Sequence, residues 1–175
     1  AGESAGAASV REALDLGHAE RLGHGIRVLD DAGLTAEVRE RGIPLASNQV
    51  QYSLLHRDPE INGVLDTCRE LGVTLIAYQP LGQGVLTGKY RPGDRPKGIR
   101  RFGRYFRGDG LKKAQPVVAL LGEIGERYSK TPAQVALRWL IEQEGVLPIP
   151  GAKNARQAAG NAEALSFSLV AAEIE

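Results

Sequence analysis

The run VLPIPGAKNARQAAGN, at residues 146–161, combines residue types that could bind a negatively charged ligand. Its apolar opening predicts a strand. The small cationic turn that follows consists of Gly151, Ala152 and Lys153. A helix is predicted to begin at Asn154, because Asn154 and Gln157 have the spacing of a reciprocal capping box. Free N–H groups and the positive end of a helix dipole favour an anion there. The pattern indicates a phosphate-bearing ligand, and an ordinary strand–turn–helix with a surface lysine has the same pattern.

Residues 89–113, which we call the basic segment, are a second part of the chain whose composition points to function. They carry ten Lys or Arg against two Asp, a net charge of +8, together with five glycines. The aromatic residues interleaved with the basic ones are Tyr90, Phe102, Tyr105 and Phe106. A structureless loop of this length in a compact domain is usually functional or disordered. Three interpretations stay open: a mobile flap over an anionic cofactor, a nucleic-acid contact, and a solvated loop.

The overall composition excludes several classes of protein. With 175 residues the chain is predicted to form one domain over residues 1–175, and its net charge of +1 creates no global field toward nucleic acid or membrane. No apolar run approaches the roughly 20 residues of a membrane span. The single cysteine, Cys68, fits a reducing cytoplasm. The absence of methionine, even at position 1, indicates a processed or excised chain.

Helical and extended patterns alternate along the chain. Helices are predicted over residues 9–16, 34–41, 58–71, 111–128, 131–143 and 154–165. Strands are predicted within 20–25 and over 43–49, 73–78 and 146–149. Ser9, Asp58 and Thr131 are the predicted N-caps of three of the helices. Strands that alternate with helices are typical of parallel βαβ units, so the predicted fold class is α/β with about four parallel strands.

Four long runs in the later part of the chain are specific enough to compare with known families. They are ASNQVQYSLLHR (46–57), GVTLIAYQPLGQGVLTGKY (72–90), YSKTPAQVALRWL (128–140) and PIPGAKNARQAAGNAEAL (148–165). In these runs, residues from about 43 to 175 resemble the C-terminal half of an aldo-keto reductase. That family is known as a (β/α)8 barrel. The resemblance therefore implies a partial TIM barrel, half of the full one, with helices outside its strands.

The resemblance also implies a set of residues that bind a nicotinamide dinucleotide. Gln49 matches the residue that bonds the nicotinamide carboxamide, and Tyr78 matches the aromatic residue on which the ring stacks. The other matches are the backbone of Leu81 at the pyrophosphate, Gly151, Ala152 and Lys153 around the adenosine phosphate, and Gln157 and Asn161 at the adenosine end. The lysine in that loop favours NADP over NAD. Gln79 and Gly160 replace the usual serine and acidic residue, which would weaken cofactor binding modestly.

The first part of the chain has different motifs. The run AGESAGAASVREALDLGHAERLGHGIRVLDD (1–31) has the order and spacing of HAGE and R-x-GHG motifs. In this run, residues 1–45 resemble a segment of an adenosine deaminase, which is another TIM-barrel family. The resemblance implies that Glu3 is the proton-shuttling glutamate and His24 the catalytic histidine. The chain is accordingly interpreted as a chimera of two barrel enzymes, joined at RGIPLAS (41–47).

Neither resemblance implies a complete catalytic set. Aldo-keto reductases carry their catalytic aspartate, tyrosine, lysine and histidine on early strands, outside the half-barrel that this chain resembles. The deaminase zinc ligands are likewise unmatched, and the histidines and the cysteine have no ligand spacing, so no metal site is predicted. The predicted function is weak NADP(H) binding without catalysis, and an active chain would be an NADP-dependent oxidoreductase. The alternative function is a self-assembling barrel fragment without ligand or catalytic activity.

Self-association is the predicted partner interaction. Four parallel strands cannot close a barrel, so inward-facing residues such as Leu75, Ala77 and Ile149 are expected to be exposed beside two unpaired strand edges. Such surfaces promote association, and a homodimer or larger homo-oligomer is expected, through either edge-to-edge or face-to-face contact. The alternative is a monomer whose helices cover both faces of the sheet. Neither nucleic acid nor a membrane is an expected partner.

Overall fold

The computed structural model describes residues 6–16, 18, 22 and 32–175. Its sheet has three parallel strands in the order β1-β2-β3. They are β1 (Ser47–Gln51), β2 (Thr74–Tyr78) and β3 (Val146–Pro148). Leu22 adds one further parallel pair, with Leu45, just before β1. The predicted α/β class with a parallel sheet is confirmed, although the described residues form three strands where about four are expected.

Helices occupy most of the remaining described chain. The α-helices are α1 (Gly6–Asp15), α2 (Ala32–Glu40), α3 (Asp58–Ile61), α4 (Val64–Glu70), α5 (Gly110–Tyr128), α6 (Pro132–Ile141), α7 (Ala155–Ala162) and α8 (Ala171–Ile174). Four 3₁₀ helices are described as well: Gly82–Thr87, Gly98–Phe102, Arg104–Phe106 and Glu163–Leu165. None of the helices in the described residues has the length and apolar character that crossing a membrane requires.

The helix predicted over 58–71 is in fact two short helices. Gly63 adopts a left-handed conformation between α3 and α4, with a φ of 81°, which interrupts the helical hydrogen bonds. Asp58 is the first residue of α3 and not its N-cap. The chain enters α3 through Arg57, which forms no side-chain capping bond. The continuous apolar periodicity of this stretch therefore hides a break.

The other two predicted caps have opposite outcomes. Thr131 is confirmed as the N-cap of α6, where its side chain and that of Gln134 form a reciprocal capping box. Ser9 lies inside α1, which begins three residues earlier, so its predicted capping role is wrong. The short helix α8 at the C terminus has no counterpart among the predicted elements.

The two faces of the sheet have different neighbours. Leu75 and Ala77 of β2 are fully buried and belong to the main core cluster, together with Trp139 of α6. Their predicted exposure is wrong, because the odd-numbered residues of β2 face the helices. Side chains alternate between faces along a strand, so Leu147 and Ile149 point to the opposite side. They are 52% and 43% exposed, which confirms the expected exposure of Ile149.

β3 lies at one edge of the sheet and continues its pairing slightly beyond its last residue. The N–H of Ile149 donates to the carbonyl of Ala77 at 3.1 Å, and the N–H of Val146 donates to the carbonyl of Gln143 at 3.1 Å. The chain therefore reaches the turn at 151–153 directly from the sheet.

A smaller apolar cluster lies at the other end of the described chain. It contains the buried side chains Val10, Leu14, Leu22 and Leu34, contributed mainly by α1 and α2. Leu45 packs against this cluster and also against the main core. The helices α1 and α2 are thus connected to the sheet by apolar contacts through the residue that pairs with Leu22.

Candidate functional site

The carboxyl ends of β1 and β2 bring two predicted site residues together. Gln51 ends β1 opposite Tyr78, which ends β2. Gln49 is paired with Ile76, two positions earlier. Because paired residues of parallel strands share a face, Gln49 and Tyr78 lie on the same side of neighbouring strands, away from the helices. Leu147, the partner of Ile76 on β3, is exposed on this side, so the face is open to a ligand.

The chain turns sharply after β2. Gln79 has a left-handed φ of 52° although it is not glycine, and its Oε1 accepts a hydrogen bond from Nε2 of Gln51 at 3.3 Å. Leu81 precedes the 3₁₀ helix Gly82–Thr87, and its carbonyl accepts from the N–H of Gly84 at 2.9 Å. The side chain of Leu81 packs against the main core. This packing fixes the backbone where the resemblance implies a pyrophosphate contact.

The turn after β3 leads into α7 through the predicted capping residues. Gly151, Ala152 and Lys153 are all exposed. Asn154 is confirmed as the N-cap, and its Oδ1 accepts from the N–H of Gln157 at 2.9 Å. The return bond differs from the predicted capping box, because Gln157 Oε1 accepts from the N–H of Lys153 at 2.8 Å and not from that of Asn154. Two backbone donors at the start of α7, the N–H groups of Lys153 and Gln157, are therefore already bonded.

The positive charge of Lys153 has no carboxylate partner in the part of the chain that the structure describes. The ammonium group of Lys153 forms no ion pair with any described carboxylate. The α7 helix that carries Gln157 and Asn161 has no buried residue, and Asn161 is half-buried. Nε2 of Gln134 donates to the carbonyl of Gly160 at 2.9 Å, which joins α7 to α6. The turn is thus exposed with its lysine unpaired among the described residues, and it is followed on α7 by the exposed amide of Gln157 and the half-buried amide of Asn161.

The basic segment is more ordered than its composition predicts. It contains the 3₁₀ helices Gly98–Phe102 and Arg104–Phe106, and its last residues open α5. Tyr105 is buried in a third apolar cluster with Val85, which belongs to the turn after β2. The prediction of a structureless loop is therefore wrong, because a long-range apolar contact fixes the middle of the segment.

Arg104 ties the basic segment to the turn that follows β1. Its Nη2 atom donates to the carbonyl of Leu55 at 3.1 Å and to Oη of Tyr105 at 2.9 Å. The same nitrogen lies 2.8 Å from Nδ1 of His56. The segment is thus anchored beside the carboxyl edge of the sheet by one buried tyrosine and one arginine.

A half-buried polar cluster beside β1 is absent from the predicted site residues. Tyr52 Oη donates to Glu60 at 2.9 Å, and the guanidinium of Arg57 donates to both carboxylate oxygens of Glu60 at 2.7 and 2.6 Å. The same guanidinium lies over the ring of Trp139, 5.2 Å from its centre. The bonds from Arg57 lower the pKa of Glu60, and burial raises the pKa of Tyr52. The R-x-x-E spacing of Arg57 and Glu60 is the sequence signal from which this ion pair could have been predicted. The cluster fixes the chain where it leaves β1.

The deaminase-like positions Glu3 and His24 lie outside the described residues. Within the described residues, no three His, Cys, Asp or Glu side chains are grouped so that they could hold a metal ion. Cys68 is buried in the main core, and burial raises the pKa of its thiol. A thiol in this environment is a poor nucleophile.

Comparison with known proteins shows the family of this chain. The chain belongs to the aldo/keto reductase family, which matches residues 15–175. Aldo-keto reductase str7 of Strobilurus tenacellus is 42% identical over 137 residues, which cover 75% of this chain and 40% of that protein. The chloroplastic pyridoxal reductase of Arabidopsis thaliana is 42% identical over 132 residues, which cover 75% of this chain and 35% of that protein.

Solved structures give the same assignment. The glycerol dehydrogenase of Gluconobacter oxydans superimposes with a TM-score of 0.71 and 26% identity, over 81% of this chain and 43% of that one. An aldo/keto reductase of Klebsiella pneumoniae, crystallised with NADP and acetate, has a TM-score of 0.52 and 28% identity, over 74% of this chain and 37% of that one.

The matched region is part of the length of its relatives and most of the length of this chain. The chain spans about two fifths of the length of the curated relatives that it matches. The family match begins at residue 15 and so includes most of the segment that resembles a deaminase. The resemblance of residues 1–45 to a deaminase, and with it the chimera, stays a prediction.

Proposed function

We propose that the chain binds NADP(H) weakly at the carboxyl edge of its sheet, as half of a (β/α)8 barrel without a complete catalytic site. The observation that carries the proposal is the position of Gln49 and Tyr78 on one open face of neighbouring strands. The next strand in the sheet leads directly to Lys153. Ligands of parallel α/β folds bind outside the carboxyl ends of the strands. Tyr78 ends β2 and Lys153 follows β3, whereas Gln49 lies two residues before the end of β1 on the same face as Tyr78.

Each proposed contact follows from the chemistry of the side chain. The ring of Tyr78 offers a flat surface to the nicotinamide, and the amide of Gln49 can both donate to and accept from a carboxamide. The backbone at Leu81 offers polar groups to the pyrophosphate. The charge of Lys153 favours the additional phosphate of NADP over NAD. The amides of Gln157 and Asn161 complete the set of contacts at the adenosine end. The cofactor, when bound, would supply hydride chemistry.

Fluorescence titration with NADPH and NADH tests this proposal. We expect NADPH to bind more tightly, and Lys153→Ala to remove most of the preference. At an exposed lysine, a charge-assisted phosphate contact is worth about 1.5 kcal/mol, or roughly tenfold in Kd. Lys113→Ala, which removes an exposed lysine from α5, is the matched control and should keep the preference. Equal affinity of the unmutated protein for the two nucleotides would overturn the proposal.

Absence of catalysis is the second part of the proposal. Carbonyl reduction needs a proton donor as well as a hydride, and the resemblance places that donor on strands other than β1, β2 and β3. Glu3 and His24 would be remnants of the deaminase-like part of a chimera. We therefore expect neither aldehyde reduction nor adenosine deamination in coupled spectrophotometric assays. Turnover in the usual range of about 1–1000 per second for either reaction would contradict this.

Self-assembly without a ligand is the second candidate function. The observation that favours it is the exposure of Leu147 and Ile149 on the face of the sheet opposite the helices of the main core. Parallel sheets are normally buried on both faces, so an uncovered apolar face is a surface for association. The nucleotide titration separates the two functions, because an assembly module would show no saturable binding of NADPH.

A further inference from the structure

The basic segment concentrates positive charge on an otherwise acidic chain. It carries +8 in 25 residues, and because the whole chain carries +1, the other 150 residues carry −7. The proposed contacts to NADP(H) at Gln49, Tyr78 and Lys153 all lie outside this segment. The charge of the segment is therefore not used by the proposed function.

Part of this charge lines an open cleft of about 450 Å³. The lining residues are Arg95, Arg101, Phe102, Phe106, Arg107 and Gly108. A second cleft of about 290 Å³ lies next to it and shares Arg95, Phe106 and Gly108, and Asp94 and Asp109 line only this second cleft. The two clefts are thus neighbours on the basic segment, and the larger one is lined by arginine, phenylalanine and glycine without a carboxylate.

The arginines of the larger cleft are available to a ligand. No described carboxylate forms an ion pair with Arg95, Arg101 or Arg107. Elsewhere in the chain, arginines such as Arg57 and Arg138 are bonded to glutamates at 2.6 Å. Unpaired guanidinium groups around one cleft repel each other, and an anion bound among them would relieve that repulsion.

Neighbouring aromatic residues hold the aromatic side chains of the cleft in place. The rings of Phe106 and Tyr90 are in edge-to-face contact, with centres 5.0 Å apart. Buried Tyr105 fixes the backbone between Phe102 and Phe106. Phe102 is 55% exposed, and the guanidinium of Arg101 lies 4.6 Å from the centre of its ring. One side of an aromatic ring is therefore presented to solvent beside a cation.

These features define the chemistry of the ligand. Guanidinium groups bind phosphate oxygens in bidentate fashion, and exposed aromatic rings stack on nucleobases of any sequence. The volume of the larger cleft lies within the range of roughly 300–1,000 Å³ that is usual for ligand sites. We infer that the cleft binds a short stretch of single-stranded nucleic acid, with its phosphates on Arg95, Arg101 and Arg107 and a base against Phe102. A duplex would not be bound in this way, because its bases are stacked inside.

Fluorescence anisotropy with a fluorescein-labelled ten-nucleotide oligothymidylate tests the inference. The cleft variant is Arg95→Gln/Arg101→Gln/Arg107→Gln. The control variant is Lys97→Gln/Arg100→Gln/Lys113→Gln, which removes the same charge from exposed positions of the same segment outside the clefts. We expect the cleft variant to bind at least about tenfold more weakly, as for the loss of charge-assisted contacts, and the control to lose less than about threefold.

The salt dependence gives a second, independent readout. Three phosphate contacts to a single strand contribute about −2 to the slope of log K against log salt, at roughly −0.7 per phosphate. The cleft variant should lose this part of the slope, and Phe102→Leu should weaken binding about fivefold or more without changing the slope. Equal losses in the cleft and control variants would reduce the interaction to non-specific attraction and overturn the inference. Circular dichroism melting shows whether each variant is folded.

Competition experiments distinguish a single strand from a free nucleotide as the ligand of the cleft. Unlabelled oligothymidylate should displace the probe, whereas equal concentrations of thymidine monophosphate or NADPH should displace little of it. Displacement by NADPH as efficient as by the oligonucleotide would make the cleft part of the cofactor site, and equal displacement by the monophosphate would make it a mononucleotide site. Either result, or no binding of the probe, would overturn the inference. The NADP(H) proposal is read separately, through Lys153→Ala.

Discussion

Glu142 joins α6 to the C-terminal segment at the level of single hydrogen bonds. Its Oε1 accepts from Nε of Arg138 at 2.6 Å and from the N–H of Leu169 at 3.2 Å. The bond from Arg138 lowers the pKa of Glu142, against the opposing effect of burial and with help from Leu169. A carboxylate whose pKa is lowered by folding stabilises the folded state above its unfolded pKa. That stabilisation is lost as the pH falls through the folded value.

Glu142→Gln should therefore make folding less sensitive to acid. At pH 7 the variant should be less stable than the unmutated protein, because it loses the charge-assisted bond. Between pH 5 and pH 3 its unfolding free energy should fall less. Urea unfolding at pH 7, 5, 4 and 3 measures both effects. Glu126→Gln, on an exposed position of α5, is the control and should follow the unmutated protein. Parallel pH profiles for Glu142→Gln and the unmutated protein would disprove the assignment.

At the scale of the element, α5 ends in a left-handed residue that is not glycine. Ser129 has a φ of 54°, and its N–H is bonded to the carbonyls of the last turn. This conformation costs a non-glycine residue roughly 1–2 kcal/mol in the folded state, and glycine avoids most of that cost. Glycine also has the greater backbone entropy in the unfolded chain, which offsets part of the gain. Ser129→Gly should raise the unfolding free energy by about 0.5–1 kcal/mol in urea titrations. Ala119→Gly, exposed inside the same helix, should lower it by a similar amount. A decrease for both variants would contradict the argument.

Elements with strong local signals are those that the sequence predicts well. α6 begins where Thr131 and Pro132 indicate, and β2 lies within the apolar run at 73–78. The faces of β2 are less predictable, because a nearly continuous apolar run does not tell which alternate residues face the helices. The break at Gly63 had a local signal, since Asn-Gly is a typical turn dipeptide. In the structure, Oδ1 of Asn62 accepts from the N–H of Val64 at 3.1 Å at the start of α4.

In the candidate site too, local signals are predictable and long-range contacts are not. Its residues were predicted from motifs and stay predictions, whereas the N-cap at Asn154, predicted from local spacing, is confirmed. The return bond from Lys153 to Gln157 could not be predicted in this way, because a glutamine side chain reaches either of two neighbouring N–H groups. The order of the basic segment was likewise hidden, since it depends on Tyr105 meeting Val85, twenty residues earlier in the chain. Long-range contacts of this kind leave no periodic signal.

At the scale of the whole molecule, the open face of the sheet predicts association. Light scattering at micromolar concentration should give a mass of at least twice the 18.7 kDa of one chain. Leu147→Lys/Ile149→Lys should lower that mass toward a monomer, because a lysine on an apolar interface must be desolvated. Ile61→Lys, which changes an apolar residue that is 84% exposed on α3, is the control and should leave the mass unchanged. A mass of one chain for the unmutated protein would favour a monomer.

The free edge of β3 has a consequence for fibril growth. The N–H of Ile149 is bonded to β2, and alternate N–H groups of a strand point to opposite edges, so positions 146, 148 and 150 face outward. Of these, Val146 is already bonded to Gln143, and Pro148 and Pro150 have no N–H to donate. The edge therefore offers acceptors without donors, and two copies of it cannot form a ladder with each other. This favours face-to-face association over pairing of two β3 edges, and it protects this edge of the sheet from templated addition of an identical strand.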